Sequence, residues 1–182
     1  MHVDVVYNRG SGRGKAERIA TRFARALTAA GITAHLRPVR GSAPNGHTPD
    51  LLVLVGGDGT VMHAIDDAIA LGAAVYHVPL GNENLFARGF GMTREPGDLL
   101  RAIGRWSIDR IDVGVVRGAG GGVRRFAIML SVGPGASVIH RMERHGRSAA
   151  GHLAYLEPVG EEVSEPRLAA VTAGRWAVGG GW

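Results

Sequence analysis

The chain has 182 residues, 45% of them hydrophobic, so it can build one domain and part of a second and is too apolar to be disordered. Arginine supplies almost all of the positive charge behind the net charge of +5, since Lys15 is the only lysine. The chain has no basic run with interleaved aromatic residues, so we do not expect it to bind nucleic acid. There is no cysteine for disulfides or thiolate metal sites, no signal peptide and no apolar run of the roughly 20 residues that a membrane span needs, so we expect a cytoplasmic protein that can still visit a membrane surface.

Strands and helices alternate in the first half of the chain. Buried strands are predicted at 2–7, 51–55 and 73–78, and a half-exposed edge strand at 32–37. One helix, with Ile19, Phe23 and Leu27 on one face, follows the first strand, and another is predicted at 61–71. This alternation is typical of an α/β domain with a parallel sheet.

The pattern changes after Pro96. A short helix is predicted at 98–104, and strands at 108–116 and 124–132 are joined by a glycine loop, which indicates an antiparallel pair. A further helix is predicted at 138–144, and a hairpin from strands at 168–171 and 175–178. We therefore divide the chain into an α/β nucleotide-binding domain at 1–106 and a partial β-rich domain at 107–182.

Three glycine-bearing turns, at 8–14, 56–60 and 79–84, each follow a predicted strand. Because ligands of parallel sheets bind outside the carboxyl ends of the strands, we expect the three turns to form one site.

The second turn, Gly56-Gly57-Asp58-Gly59-Thr60, is the most specific signal. Its glycines let the backbone approach a ligand closely, and the free N–H groups of the following helix favour a phosphate. A carboxylate beside a phosphate needs a cation or a proton between them, so Asp58 indicates Mg²⁺ or proton transfer. The alternative is a tight turn in which Thr60 is the helix N-cap.

The other two turns are less specific. In the first, Gly10 and Gly14 have the wrong spacing for a Walker A loop and for a G-x-G-x-x-G fingerprint, so a glycine turn without a ligand stays open. In the third, Asn82 and Asn84 can bind a nucleotide, order Asp58 or cap the next helix.

Together these residues resemble the diacylglycerol kinase catalytic family, which includes bacterial lipid kinases and sphingosine and ceramide kinases. The family pattern N-P-x-S-G is similar to Asn8-Arg9-Gly10-Ser11-Gly12, and G-G-D-G-T is present in full. The later patterns P-x-G-T-x-N-D-F-A-R and I-D-x-G match at Pro79, Gly81, Asn84, Phe86, Ala87, Arg88, Ile111, Asp112 and Gly114.

The resemblance implies an α/β nucleotide-binding domain followed by the start of a β-sandwich. It also implies transfer of the γ-phosphate of ATP, assisted by Mg²⁺, to a diacylglycerol-like or sphingoid lipid at a membrane surface. Asp58 would be the catalytic residue and would position Mg²⁺ or the acceptor hydroxyl. The nucleotide would contact Asn8, Gly10, Ser11, Gly12, Gly56, Gly57, Asp58, Gly59, Thr60, Gly81, Asn82 and Asn84.

The chain departs from the family pattern at several positions. Arg9 replaces a proline, Asn82-Glu83 replaces T-x, and Leu85 replaces an aspartate. Members run on for roughly another hundred residues, so we expect a truncated second domain whose exposed strand edges favour self-association. Two alternatives follow: a kinase of the NAD kinase type, which shares GGDGT, and a nucleotide-binding module without catalysis.

Overall fold

The structure is a computed structural model that describes residues 1–39, 47–118, 120–131 and 136. Met1–Met129 form one compact unit, which contains almost all of these residues. The helix predicted at 138–144 and the strands predicted at 168–171 and 175–178 lie outside the described residues. The division of the chain at residue 106 stays a prediction.

Four parallel strands form a sheet in the order β2-β1-β3-β4. They are β1 (His2–Tyr7), β2 (Thr33–Pro38), β3 (Leu51–Gly56) and β4 (Ala74–Pro79). In the register of the sheet, Tyr7 pairs with Val55 and Gly56 pairs with Pro79, so β1, β3 and β4 end at nearly the same level. The predicted α/β domain with a parallel sheet is confirmed, as is the edge position of β2.

Helices cover both faces of this sheet. They are α1 (Ala16–Ala29), α2 (Asp58–Leu71), α3 (Leu85–Gly89) and α4 (Pro96–Arg105), and a short 3-10 turn, Ser11–Gly14, precedes α1. On one face Phe23 and Leu99, from α1 and α4, pack against Val53. On the other face Val61 of α2 packs against Leu54. Since β3 is buried on both sides, its sequence is a continuous apolar run instead of an alternating one.

The strand order creates a crevice at one place. The chain runs from β1 to β2 on one side and then returns to place β3 on the other side of β1. Loops that leave β1 and β3 therefore diverge at their carboxyl ends, which is the usual ligand position in open α/β sheets. The turns at 8–14 and 56–60 are the two that follow these strands.

A two-stranded antiparallel sheet, β5 (Gly114–Arg117) and β6 (Val123–Phe126), follows the α/β layers. The hairpin connection is confirmed, but both strands are shorter than predicted. Residues 108–112 are exposed and lie outside any strand. A strand requires a ladder partner, and within the described residues β5 finds one only alongside Val123–Phe126.

A buried ion pair turns one charged side chain of the edge strand inward. Leu36 is 40% exposed, whereas Arg37 is 8% exposed because its Nε donates to Asp4 Oδ2 at 2.8 Å. Asp4 itself is fully buried on β1, and its other oxygen lies 3.0 Å from His47 Nε2. A buried carboxylate is tolerated only when it is paired, which explains why an arginine points inward here.

We predict that Arg37→Met destabilises the fold by about 3 kcal/mol, because it leaves the Asp4 carboxylate buried with a partner removed. Arg125→Met is the matched control: Arg125 pairs with Asp66 at the same distance, 2.8 Å, but both side chains are exposed. That change should cost less than about 1 kcal/mol. Urea unfolding measures both, and equal losses would contradict the prediction.

Candidate functional site

The loop after β1 is organised by its own backbone. Asn8 Oδ1 accepts the Gly10 N–H at 3.1 Å, and the Asn8 carbonyl accepts the Ser11 N–H at 2.9 Å. Gly12 and Arg13 then adopt left-handed conformations, with φ of 60° and 54°. A left-handed conformation costs a non-glycine residue such as Arg13 roughly 1–2 kcal/mol. The predicted site residues of this loop therefore form a turn held by Asn8.

The turn after β3 leads directly into α2. Gly57 is the N-cap and Asp58 the first helical residue, so the alternative that Thr60 is the N-cap is wrong. Thr60 is 1% exposed and its N–H donates to the Gly57 carbonyl at 2.8 Å, so it presents no donor at the surface. In the part of the chain that the structure describes, no acceptor receives the N–H groups of Gly57, Asp58 or Gly59.

The loop after β4 contacts this turn through glycine. A Cβ atom on Gly81 would lie 2.8 Å from Gly57 Cα, and one on Gly57 would lie 3.1 Å from Gly81 Cα. Neither position has room for a side chain, because the atom it would meet is backbone. Asn84 holds the loop in shape: its amide accepts from the Gly81 N–H and donates to the Gly81 carbonyl, both at 2.7 Å.

The Asp58 carboxylate connects the second and third loops. Its Oδ2 accepts the Leu85 N–H at 3.0 Å and its Oδ1 accepts the Phe86 N–H at 3.1 Å. Asp58 therefore caps α3, although Asn84 is the residue at the N-cap position. Backbone N–H groups order Asp58, and the side chains of Asn82 and Asn84 do not.

A buried histidine lies beneath the turn after β3. His77 on β4 is fully buried, and its Nε2 lies 2.9 Å from the Gly56 carbonyl oxygen. Burial lowers the pKa of His77, while the hydrogen bond to Gly56 and the charge of Asp58 oppose that shift. The imidazole is therefore neutral at neutral pH, and the proton that it holds is on Nε2, since a carbonyl can only accept.

The structure brings most of the predicted site residues to one edge of the sheet. Gly57 meets Gly81, and a Cβ on Gly12 would lie 3.3 Å from Leu80 Cδ1, so the three loops are neighbours. Asn82 is exposed, and so is His63 on α2. The sequence analysis does not identify His77, because it lies within an otherwise apolar predicted strand. A titratable residue in such a run is the signal that could have indicated it.

Asp58 fits Mg²⁺ only as one ligand among several. Among the residues that the structure describes, no group of three or more His, Cys, Asp or Glu side chains could hold a metal ion. Mg²⁺ commonly takes one or two carboxylates, with substrate phosphates and water as its other ligands. Each Asp58 oxygen accepts one hydrogen bond and keeps a lone pair, so the carboxylate can contribute to a metal ion that arrives with phosphate.

The model of the diacylglycerol kinase catalytic domain family matches residues 2–116, which is well over half of the chain. The chain belongs to this family. It is a family of lipid kinases, and the matched residues contain all three loops and the turn with Asp58. A comparison with curated proteins gives no match.

Two solved structures that are similar to this chain are each described as a "putative diacylglycerol kinase" from Bacillus anthracis str. Sterne. Each match covers 62% of the present chain at 22% sequence identity, and the TM-scores are 0.45 and 0.46. The matches span 44% and 40% of those two proteins, so the chain covers less than half of their length.

We predict that Asp58→Asn lowers stability by about 1 kcal/mol, because an amide keeps one acceptor oxygen and cannot accept the second backbone N–H. Asp67→Asn, exposed on the same helix, is the control and should change stability by less than about 0.5 kcal/mol. Thermal and urea unfolding test this. Equal stability of the two variants would show that Asp58 does not cap α3.

We predict that His77 makes stability depend on pH. The unfolded chain takes up a proton near the ordinary pKa of 6.5, whereas folded His77, whose pKa is lowered, stays neutral. Stability is therefore lost as the pH falls below that value, by at most about 1.4 kcal/mol per pH unit for one proton. Urea unfolding at about pH 7 and about pH 5 should show a smaller loss for His77→Gln than for the wild type. Identical losses would contradict the prediction.

Proposed function

We propose that the chain is the nucleotide-binding part of an ATP-dependent lipid kinase. The reaction breaks the bond between the γ-phosphorus and the β–γ bridging oxygen, which leaves with ADP. It forms a bond from that phosphorus to the oxygen of a lipid hydroxyl, whose proton is released to solvent. The observation that carries the proposal is the set of three N–H groups, from Gly57, Asp58 and Gly59, that have no acceptor within the described part of the chain.

These N–H groups suit a phosphate for two reasons. They are at the N-terminus of α2, a helix of 14 residues, where the helix dipole favours negative charge. They also follow β3, beside the crevice that the strand order creates between β1 and β3. A Cβ atom on Gly59 would meet nothing within 4 Å outside its own helix, so a phosphate has room to approach the backbone on that side.

Positioning and neutralisation of charge supply most of the catalysis in phosphoryl transfer. Asp58 would contribute a carboxylate to a Mg²⁺ ion carried by the nucleotide, and that ion would neutralise charge on the phosphates. The bonds from Leu85 and Phe86 hold the Asp58 carboxylate in one orientation before any ligand binds. A fixed carboxylate loses less conformational entropy when the complex forms.

The proposed acceptor is a diacylglycerol-like or sphingoid lipid at a membrane surface. Membership of a lipid kinase family supports this class of substrate. The net charge of +5, carried mainly by arginine, favours association with anionic lipid headgroups. None of the helices in the described ranges is long and apolar enough to cross a bilayer.

We predict that the full chain binds Mg²⁺-ATP and that Gly57→Ala weakens binding about tenfold, the loss expected for one hydrogen bond to a charged group. A methyl group at this position meets the backbone of Gly81 and must displace the turn. Gly104→Ala, in open space on α4, is the control and should bind as the wild type does. Calorimetry measures the affinities, and NMR should show the amides of Gly57, Asp58 and Gly59 shifting on addition of ATP.

Product analysis then separates the possible functions. The chain is incubated with labelled ATP, Mg²⁺ and either diacylglycerol vesicles, sphingosine or NAD. A labelled lipid supports the proposal, whereas a labelled dinucleotide would indicate an NAD kinase. Binding of ATP without any labelled product would support the nucleotide-binding role and count against transfer to a lipid by this chain alone, and a folded chain that does not bind ATP would refute the proposal.

A further inference from the structure

Two buried polar atoms lack a hydrogen-bond partner among the described residues, and both belong to residues beside Gly56. They are Thr60 Oγ1 and His77 Nδ1. A Cβ atom on Gly56 would collide with Thr60 Oγ1, and His77 Nε2 donates to the Gly56 carbonyl. Buried unsatisfied groups are rare in folded proteins because each costs about 1–3 kcal/mol. Retaining an imidazole here suggests a use for it besides packing.

The Gly56 carbonyl accepts two hydrogen bonds, which together fix its direction. One comes from the Leu80 N–H on the β4 side at 2.6 Å, and the other from His77 Nε2 at 2.9 Å. These two donors occupy both lone pairs of the oxygen. The carbonyl therefore points toward β4 and His77, and cannot swing without losing at least one bond.

The direction of this carbonyl determines the direction of the next N–H group. A trans peptide unit is planar, so the Gly56 carbonyl and the Gly57 N–H point in opposite directions. With the carbonyl toward β4, the Gly57 N–H points toward β1, the neighbour of β3 on its other side. That is the side on which the loop at 8–14 follows β1, and no described acceptor receives this N–H.

We propose that His77 is a positioning residue, which aims the Gly57 N–H at a phosphate by holding the Gly56 carbonyl. The inference rests on the proposed function for the identity of the ligand, a nucleotide phosphate. The hydrogen bond itself can be tested without any ligand. His77 does not contact the nucleotide, so it acts only through the peptide unit between Gly56 and Gly57.

Three substitutions of His77 separate this role from a packing role. His77→Leu fills the site without a donor, and it should fold at least as stably as the wild type because it removes an unsatisfied buried nitrogen. It should nevertheless bind Mg²⁺-ATP roughly threefold to tenfold more weakly. His77→Gln, whose amide reaches toward the position of Nε2, should recover most of the affinity. His77→Asn, whose amide lies nearer the position of Nδ1, should not.

NMR of the full chain without nucleotide gives the independent readout. We expect ¹⁵N shifts of His77 that report a proton on Nε2 and none on Nδ1. We expect the Gly57 amide to be rigid in the wild type and in His77→Gln, and mobile in His77→Leu. A proton on Nδ1 alone, or an unchanged Gly57 amide in His77→Leu, overturns the inference even if ATP binds. If the wild type does not bind ATP but the amide responds as expected, the proposed function fails and the positioning of Gly57 stands.

Discussion

The contact between Gly57 and Gly81 is the constraint on which the geometry of the candidate site depends. A Cβ atom on either residue would meet the Cα of the other at about 3 Å, so the loops after β3 and β4 can approach this closely only as glycine against glycine. This approach brings the start of α3 within hydrogen-bond reach of Asp58. A side chain at either position would push the two loops apart and strain the bonds from the Leu85 and Phe86 N–H groups to the Asp58 carboxylate. The two glycines are therefore needed for their small size as well as for any contact with a ligand.

Two sets of buried polar groups in this domain differ in how they are satisfied. Asp4 and Arg37 form a paired set at the edge of the sheet, and their bonds satisfy the charges that burial would otherwise penalise. His77 and Thr60 lie beneath the site, and each has one polar atom with no partner in the described part of the chain. The first set stabilises the fold. The second set lowers the stability of the fold, because its unpaired polar atoms are buried. It does so beside the peptide unit whose direction we propose to be functional, and proteins commonly tolerate such a loss of stability at functional sites.

Sequence reasoning predicted the parts of the fold that depend on local patterns. The apolar run at 51–55 followed by glycine located β3, the turn and α2, although α2 begins at Asp58, three residues earlier than predicted. All four strands predicted for this sheet agree with β1 to β4 to within two residues at either end. These successes have one cause: strand and helix periodicities are properties of neighbouring residues.

The contacts that organise the site could not be predicted, because they join distant residues. Asp58 accepts hydrogen bonds from backbone N–H groups 27 and 28 residues later. Every residue except proline has such a group, so residue types cannot indicate which N–H groups Asp58 binds. Asp4 and Arg37 are 33 residues apart, and strand alternation alone places Arg37 on the exposed side. The roles given to Asn82 and Asn84 illustrate the same limit. Both were visible as polar residues after a strand, but only the folded loop directs the Asn84 amide back to Gly81.

The same contacts decide how a metal ion can take part. A dedicated metal site needs several ligands, whereas the described part of this chain offers Asp58 without a cluster of other carboxylates or histidines around it. Both oxygens of Asp58 are engaged by Leu85 and Phe86, which fixes their remaining lone pairs in space. A Mg²⁺ ion with phosphate and water as its other ligands would need only one such carboxylate, and in the proposed function Asp58, at the start of α2, would supply it. If the proposed function holds, the nucleotide would supply most of the coordination of the metal, and the protein would contribute the fixed direction of one carboxylate.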